Sequence, residues 1–269
     1  MLMMLARTIL VTAAAILGGC AIWRPTPVPI RTLALAAACA VKPSTLLVFL
    51  PGSYSLPEDF IAHGFVDLVR RRHIAADILL VDAHLGYYSE RSILDRLEVD
   101  VVAPARASGY GQVWLVGISI GAYGALLRSA AAPAHAGEVD GIVAIAPYLG
   151  DRRVSTSIEA AGGLAAWPAP LALPPNEVDE LLWHWLQAST REPQGTTIFL
   201  GYGESDRFAF SDRLLARALP QERVFTAPGG HDWPIWEALW RQIVPALPLA
   251  VDPSCRAAEA PAPIALAGP

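Results

Sequence analysis

The sequence has few charged residues, few cysteines and only one cluster of basic residues. Charged residues make up 17% of the 269 residues, and the formal net charge is −5. The basic cluster, residues 70–73, falls near the end of a predicted helix, where cations interact favourably with the helix dipole. A nucleic-acid-binding protein usually presents a basic stripe, so we expect no nucleic-acid partner.

Spacings typical of metal and cofactor sites are also missing from the sequence. No group of His, Cys, Asp and Glu residues has the spacing of a zinc site, and there is no phosphate-binding loop. The segment Gly201-Tyr202-Gly203 lacks the third glycine of a dinucleotide-binding turn and comes late in the chain. We therefore expect neither a metal nor an organic cofactor.

The chain begins with an apolar segment that has the features of an export signal. Residues 9–17 follow Arg7 and form an apolar run too short to span a bilayer comfortably. The next residues, Leu17-Gly18-Gly19-Cys20, resemble the lipobox of bacterial lipoproteins, in which the cysteine becomes the lipidated first residue. The resemblance implies a signal peptide over residues 1–19 and a lipid-anchored protein of the bacterial cell envelope, with the membrane as a partner through Cys20. A secretory signal cut nearby, or an uncleaved anchor, is the alternative.

Export would give the other two cysteines an oxidising environment. Cys39 comes just before the first predicted core strand, and Cys255 comes just after the last predicted helix. A disulfide between them would join the two ends of the domain. Two unpaired thiols are the alternative, because the sequence does not give the distance between them.

Short apolar runs alternate with helical patterns through most of the chain. Buried strands are predicted at 46–50, 78–81, 113–116, 142–146, 197–200 and 223–226, and helices at 60–69 and 90–107. The alternation predicts an α/β domain over residues 44–250, with a mainly parallel central sheet and helices on both faces. Pro25, Pro27 and Pro29 predict an extended tether within residues 20–43, which can also contain an outer strand. Residues 251–269 are predicted to form a tail rich in Ala and Pro, with residues 252–269 disordered apart from Cys255.

The segment around Ser119 has the pattern of a sharp turn from a strand into a helix. The apolar run Val113 to Val116 precedes Gly117-Ile118-Ser119-Ile120-Gly121, and an Ala/Leu-rich helix follows. Gly117 and Gly121 leave room around Ser119, which lies where unpaired helix N–H groups can face a developing negative charge. This segment resembles the nucleophile elbow of the α/β-hydrolase family.

An acid and a histidine each follow a later predicted strand. Active sites of parallel sheets lie beyond the carboxyl ends of the strands. The chain order Ser119, Asp206, His231 is similar to the order of the catalytic triad in the α/β-hydrolase family. The resemblance implies that His231 is the general base for Ser119 and that Asp206 orients the imidazole. Asp151 and then Glu204 are the alternative acids.

The same resemblance implies two backbone donors for a developing oxyanion. One is the N–H of Ile120, and the other comes from the loop after the first core strand. In that loop Ser53 is the first choice and Tyr54 the alternative. The loop lacks the His-Gly pair that is common in lipases, because Leu50 and Pro51 stand before its glycine.

A small cap is expected as an insertion over residues 151–195. Four aromatic residues are predicted to line an apolar pocket for a small-molecule acyl substrate: Tyr54, Trp167, Trp183 and Trp233. Ordinary packing in the core is the alternative for the tryptophans, and Trp185 lies on an amphipathic helix face that favours it.

The resemblance therefore implies a serine hydrolase that cleaves carboxylic esters through an acyl-enzyme on Ser119. Thioester or amide hydrolysis and acyl transfer would use the same triad, so they remain open. A non-catalytic binding or scaffolding lipoprotein with the same fold is an alternative of another class. The sequence does not indicate the oligomeric state.

Overall fold

A seven-stranded sheet organises the residues described by the computed structural model, which are 24–131, 139–169, 177–191 and 196–257. Its strands are β1 (Thr32–Leu35), β3 (Thr45–Leu50), β4 (Ala76–Val81), β5 (Gln112–Ile118), β6 (Gly141–Ile145), β7 (Thr197–Gly203) and β8 (Val224–Ala227). The order across the sheet is β1-β4-β3-β5-β6-β7-β8, and every neighbouring pair is parallel except the antiparallel pair β1 and β4. The predicted mainly parallel sheet is confirmed, with an added antiparallel edge.

Ten α-helices are found in the described residues, and they cover both faces of the sheet. They are α1 (Asp59–Ala62), α2 (Phe65–Arg71), α3 (Leu85–Ser89), α4 (Ile93–Leu97), α5 (Ala103–Ala107), α6 (Ile120–Ala131), α7 (Arg152–Ala160), α8 (Val178–Ser189), α9 (Ala209–Ala216) and α10 (Trp233–Ile243). Alternate side chains of each strand enter opposite cores: Leu46 and Val48 pack under α3 to α9, whereas Leu47 and Phe49 pack under α1, α2 and α10. Because both faces of the sheet are covered, its central strands are nearly continuous apolar runs.

Two helices predicted as continuous are interrupted in the structure. The helix predicted at 60–69 divides at Gly64, whose φ of 73° is left-handed and cannot continue an α-helix. The helix predicted at 90–107 starts at Ile93, and a π-helical segment, Glu98–Val102, precedes α5. Pro104 explains the change of register, since its ring removes an N–H donor and clashes with the carbonyl four residues earlier.

The described part of the predicted tether lies against the domain. Residues 24–30 run along α3, where His84 Nε2 is 3.0 Å from the carbonyl oxygen of Pro25 and the Tyr87 hydroxyl donates to that of Pro27 at 2.8 Å. Arg24 also forms an ion pair with Asp82. These contacts make the segment part of the domain surface rather than a free spacer. The predicted signal peptide and Cys20 lie outside the described residues.

The carboxyl-terminal end is also tied to the domain, so the prediction of a disordered tail from residue 252 onward is wrong as far as residue 257. A disulfide joins Cys39 to Cys255, and beside it β2 (Ala37–Ala38) pairs with β9 (Arg256–Ala257). The backbone N–H of Asp252 also donates to the carbonyl of His73 at 2.8 Å. Residues 258–269 lie outside the described part of the chain. No helix in the described residues is long and apolar enough to cross a bilayer.

Candidate active site

Ser119 lies in a strained turn between β5 and α6. Its φ is 55°, a left-handed value that a non-glycine residue adopts only where the surroundings enforce it. The neighbouring glycines explain how the turn fits. A Cβ added to Gly117 would lie 2.4 Å from the backbone nitrogen of Ala122, and one added to Gly121 would lie 2.2 Å from the carbonyl oxygen of Leu50. Both positions therefore require glycine.

Ser119, His231 and Asp206 form one hydrogen-bonded chain. His231 Nε2 is 3.0 Å from Ser119 Oγ, and His231 Nδ1 is 2.7 Å from Asp206 Oδ2. The other carboxylate oxygen of Asp206 accepts the backbone N–H of Phe208 at 2.8 Å. An ionised carboxylate accepts only, so Nδ1 carries the proton and Nε2 is free to accept one from the serine. Asp206 is 6% exposed and Ser119 is 5% exposed, which shields this chain from water.

The turns that carry Asp206 and His231 are joined by backbone hydrogen bonds. The N–H of Glu204 donates to the carbonyl of Ala227 at 2.9 Å, and the N–H of Ser205 donates to that of Gly229 at 2.9 Å. A Cβ added to Gly203 would lie 2.6 Å from the carbonyl oxygen of Gly229. The close approach of the two turns sets the distance between acid and base.

The two alternative acids do not contact His231. Asp151 caps α7, where its carboxylate accepts the backbone N–H of Arg153 at 2.6 Å. Glu204 is exposed and lies 3.4 Å from the hydroxyl of Thr226. Among the three acids considered from the sequence, the structure brings only Asp206 to the imidazole.

The backbone amides predicted to bind an oxyanion lie beside Ser119. Ile120 is the first residue of α6, so its N–H has no acceptor within the helix. The loop after β3 lies directly against the serine, because a Cβ added to Gly52 would lie 3.7 Å from the Cβ of Ser119. Within the described residues, the N–H groups of Ser53 and Tyr54 have no hydrogen-bond acceptor either.

Most of the aromatic residues predicted to line the pocket pack elsewhere. Trp183 is fully buried and donates its indole N–H to the carbonyl of Leu149, and Trp167 is 7% exposed and donates to Ser157 Oγ. Trp233 stacks on His63, with 4.1 Å between ring centroids. The assignments of Trp167 and Trp183 are wrong because both side chains are packed in the core. Trp233 is half-buried and packs against Trp236 at 5.1 Å. Tyr54 is 85% exposed and projects into solvent.

Three other aromatic residues contact the triad, and two of them, Tyr148 and Phe208, were not considered for the pocket from the sequence. The rings of Phe208 and Trp236 each meet the imidazole of His231 edge to face at 5.1 Å. Tyr148 packs on Phe208 at 5.5 Å, and its backbone N–H donates to the carbonyl of Ser119. Phe208 and Tyr148 follow β7 and β6, so the rule that located the triad could also have found them.

A second buried acid lies near Asp206. Asp212 on α9 is fully buried, and neither of its carboxylate oxygens has a hydrogen-bond partner among the described residues. Burial raises the pKa of Asp212 well above its ordinary value, and the negative charge of Asp206 raises it further. Both effects favour the protonated, uncharged form of Asp212 in the folded protein.

The described residues contain no group of three or more His, Cys, Asp or Glu side chains arranged to hold a metal ion.

Neither the comparison with protein-family models nor the comparison with curated proteins gave a match. Solved structures do resemble the chain. An S-formylglutathione hydrolase from Staphylococcus aureus is 13% identical, with a TM-score of 0.50 over 83% of this chain and 99% of that one. A candidate esterase from Staphylococcus aureus is 12% identical, with a TM-score of 0.54 over 86% of this chain and 84% of that one. With the strand order and the position of the elbow, these similarities show that the chain has the α/β-hydrolase fold.

Proposed function

We propose that this protein is a serine hydrolase that cleaves carboxylic esters through an acyl-enzyme on Ser119. The observation that carries the proposal is the hydrogen-bonded chain from Ser119 Oγ through His231 to the buried carboxylate of Asp206. A serine hydroxyl is a weak nucleophile at neutral pH, and a base aligned on its oxygen is the usual means of activating it. The strained backbone at Ser119 also supports a functional role for this turn.

In the first half of the reaction, Ser119 Oγ attacks the carbonyl carbon while His231 Nε2 takes the hydroxyl proton. Asp206 stabilises the imidazolium that forms. The tetrahedral intermediate then collapses, the bond to the leaving oxygen breaks, and the imidazolium donates its proton to that oxygen. In the second half, water attacks the acyl-enzyme with His231 again as base, which releases the acid and restores Ser119.

Two backbone amides would stabilise the negative oxygen of each tetrahedral intermediate. Ile120 N–H points from the start of α6, a 12-residue helix whose dipole favours a negative charge at this end. Ser53 N–H is the proposed second donor, because its loop lies against Ser119. Donors fixed before the reaction need no reorganisation in the transition state, which makes them effective.

A fluorophosphonate probe tests the proposal directly, because it phosphonylates only an activated serine. We expect the purified full-length chain to be labelled once, and labelling to be lost in Ser119→Ala and strongly reduced in His231→Ala. Ser205→Ala is a matched control, since Ser205 is exposed in the neighbouring turn and has no part in the mechanism. A folded wild-type chain that resists the probe would instead favour a non-catalytic binding protein.

Product analysis then separates the reactions that share the triad. With an aryl ester in water we expect free acid and phenol in equal amounts. Accumulation of a new ester when an alcohol is added, with little free acid, would identify an acyltransferase. Matched oxygen and sulfur esters of the same acid measure whether thioesters are preferred.

We further propose that the chain is exported and anchored by lipid on Cys20. The lipobox-like segment supports this, and so does the disulfide between Cys39 and Cys255, since disulfides persist mainly in oxidising compartments. Expression in a bacterium with a radioactive fatty acid should label the wild type and not Cys20→Ala. Wild-type protein that is unlabelled and remains in the soluble fraction would rule out the anchor.

A further inference from the structure

A side pocket opens next to the triad, on the flank formed by the segments that follow β6 and β7. Its volume is about 320 Å³, and its lining includes Tyr148, Gly150, Asp151, Arg152, Arg207 and Phe208. Two of these residues connect it to the catalytic centre. Phe208 contacts the imidazole of His231, and the backbone N–H of Tyr148 donates to the carbonyl of Ser119 at 3.2 Å. A group bound in the side pocket would therefore lie beside the catalytic centre.

The wall on the β6 side is held rigidly. Asp179 on α8 accepts hydrogen bonds from the backbone N–H of Asp151 at 2.8 Å and from the hydroxyl of Tyr123 at 2.9 Å. Gly150 has a φ of 82°, and a Cβ there would lie 2.4 Å from the Asp179 carboxyl carbon. The loop from β6 to α7 is thus fixed before any ligand binds, which favours recognition.

The two arginines of the side pocket differ from their neighbour Arg153. Arg153 is neutralised by Glu180, at 2.6 Å, and by Glu177, at 3.6 Å. Arg152 and Arg207 have no carboxylate within 4.0 Å in the described part of the chain.

Aromatic rings hold both guanidinium groups in place. The guanidinium carbon of Arg152 lies 4.5 Å from the ring centroid of Phe210, and that of Arg207 lies 4.9 Å from the centroid of Phe208. A guanidinium over a ring face keeps its N–H donors free for an oxyanion, and less side-chain entropy is lost on binding. The Asp151 carboxylate reduces the positive charge, but it is already engaged by the first turn of α7. Asp179 adds a second carboxylate behind the wall, so the formal charges around the pocket balance, and an anion would be held by the free N–H donors of Arg152 and Arg207.

We propose that the side pocket binds an oxyanionic group of the substrate, a carboxylate or a phosphate, and so selects negatively charged esters. This inference rests on the proposed esterase activity and adds a substrate class to it. Arg152 and Arg207 supply charged donors, and the planar fork of each suits the paired oxygens of such a group. Neutral esters can reach Ser119 but would leave the two cations without a partner.

Matched pairs of charged and neutral esters test the inference. The first pair, 4-acetoxybenzoate and methyl 4-acetoxybenzoate, differs by a charge on the leaving group. The second pair, the umbelliferyl monoester of adipic acid and umbelliferyl hexanoate, differs by a charge on the acyl group. 4-Acetoxyphenyl phosphate is the phosphate arm. We compare kcat/KM for each charged ester with kcat/KM for its neutral partner. For at least one pair, we expect this charged-to-neutral ratio to fall about tenfold in the double variant Arg152→Ala/Arg207→Ala. The preference should also weaken with added salt.

Two variants keep this result interpretable. Arg153→Ala removes an adjacent arginine that is already paired, and it should leave the ratio unchanged. Arg152→Lys/Arg207→Lys keeps the charge without the fork and should retain most of the preference. If the alanine double variant hydrolyses neutral esters normally and its ratios equal those of the wild type, the anion site is wrong. If fluorophosphonate labels neither the wild type nor any variant, the esterase proposal itself fails.

Discussion

The site around Ser119 has two sides, a catalytic flank that carries the triad acid and base and a flank that carries the side pocket. The two are built in different ways. On the catalytic flank, Asp206 and His231 stand on short turns that are joined by backbone hydrogen bonds and by a glycine contact. On the flank of the side pocket, the wall is made of side chains from the loop after β6, the start of α7, the turn after β7 and α9, and its β6 side is fixed by Asp179 on α8. The first flank is encoded locally, whereas the second depends on contacts between distant segments.

This difference predicts how each flank responds to mutation. A triad is a chain of two hydrogen bonds, so a change at one link removes most of the catalysis. A pocket wall contributes binding energy in small parts, and the loss of one part changes affinity modestly. The predictions below test this contrast, starting with the largest expected effect.

Asp206→Asn should lower kcat about 10³-fold to 10⁴-fold, because an amide favours the wrong imidazole tautomer while leaving the shape of the site intact. Asp151→Asn is the matched control, since Asp151 also follows a strand and was the next candidate for the acid. We expect it to change kcat less than about threefold. Steady-state kinetics on one neutral aryl ester measure both. If the two substitutions had equal effects, the structure would have the wrong acid.

Gly203→Ala should separate the two turns of the catalytic flank. The added methyl group meets carbonyl oxygens at 2.6 Å, so the turns must move apart, which we expect to destabilise the fold by about 1 to 3 kcal/mol. A displacement of the base by about 1 Å can cost up to about 100-fold in rate, so kcat should fall between tenfold and 100-fold.

Gly111→Ala is the control for that substitution. A Cβ at Gly111 lies 3.9 Å from the nearest heavy atom, an ordinary contact, and we expect neither stability nor kcat to change measurably. Thermal unfolding and kinetics on both variants provide the comparison. Unchanged kcat in a folded Gly203→Ala variant would show that backbone contact between the turns does not set the triad geometry.

The same contrast explains what the sequence could predict. The elbow, the acid and the base each follow a strand, and glycines mark the tight turns, so the three residues could be found from local patterns. The fold class followed from the alternation of apolar runs. The interruptions of the two helices could partly have been predicted, because Gly64 and Pro104 are helix-breaking residues inside the apolar pattern.

The pocket could not be predicted in the same way. An indole on an amphipathic segment has the same pattern whether it faces a core or a cavity, and Trp183 and Trp167 face the core. The pairing of Arg153 with Glu180, which leaves Arg152 unpaired, depends on how α7 meets α8. The docking of residues 24–30 on α3 likewise rests on contacts made about 60 positions along the chain, such as that of Tyr87 with Pro27.

Tyr148→Ala should affect binding more than chemistry. Its ring forms part of the side-pocket wall and packs on Phe208, so its loss should raise KM about threefold to tenfold and change kcat less than about threefold. Trp167→Phe is the control for an aromatic that was predicted for the pocket but packs in the core. It should leave KM unchanged and lower stability by about 1 kcal/mol, through the lost hydrogen bond to Ser157. A rise in KM for Trp167→Phe alone would reverse the assignment.

Asp212→Asn should stabilise the protein at neutral and alkaline pH. This is the smallest expected effect, and it concerns a buried residue near Asp206 rather than a residue of the site surface. An aspartate in an unfolded chain has a pKa of about 3.9, whereas burial and the charge of Asp206 raise the pKa of Asp212 in the folded chain. Between these two values the folded state holds a proton that the unfolded state has lost. Wild-type stability therefore falls as pH rises through this window, and it stops falling above the folded-state pKa.

The neutral amide removes that dependence. We expect the Tm of Asp212→Asn to exceed that of the wild type by a margin that grows with pH from about 4 upward, with kcat nearly unchanged because Asp206 still holds His231. Asp95→Asn, at an exposed acid, controls for the loss of a surface charge and should show no such trend. If the Tm difference stays constant with pH, Asp212 is ionised in the folded protein, and its charge must then be balanced by a group that contacts it. Since that carboxylate would add a second negative charge close to Asp206, the catalytic flank would be less locally encoded than the hydrogen bonds of its turns indicate.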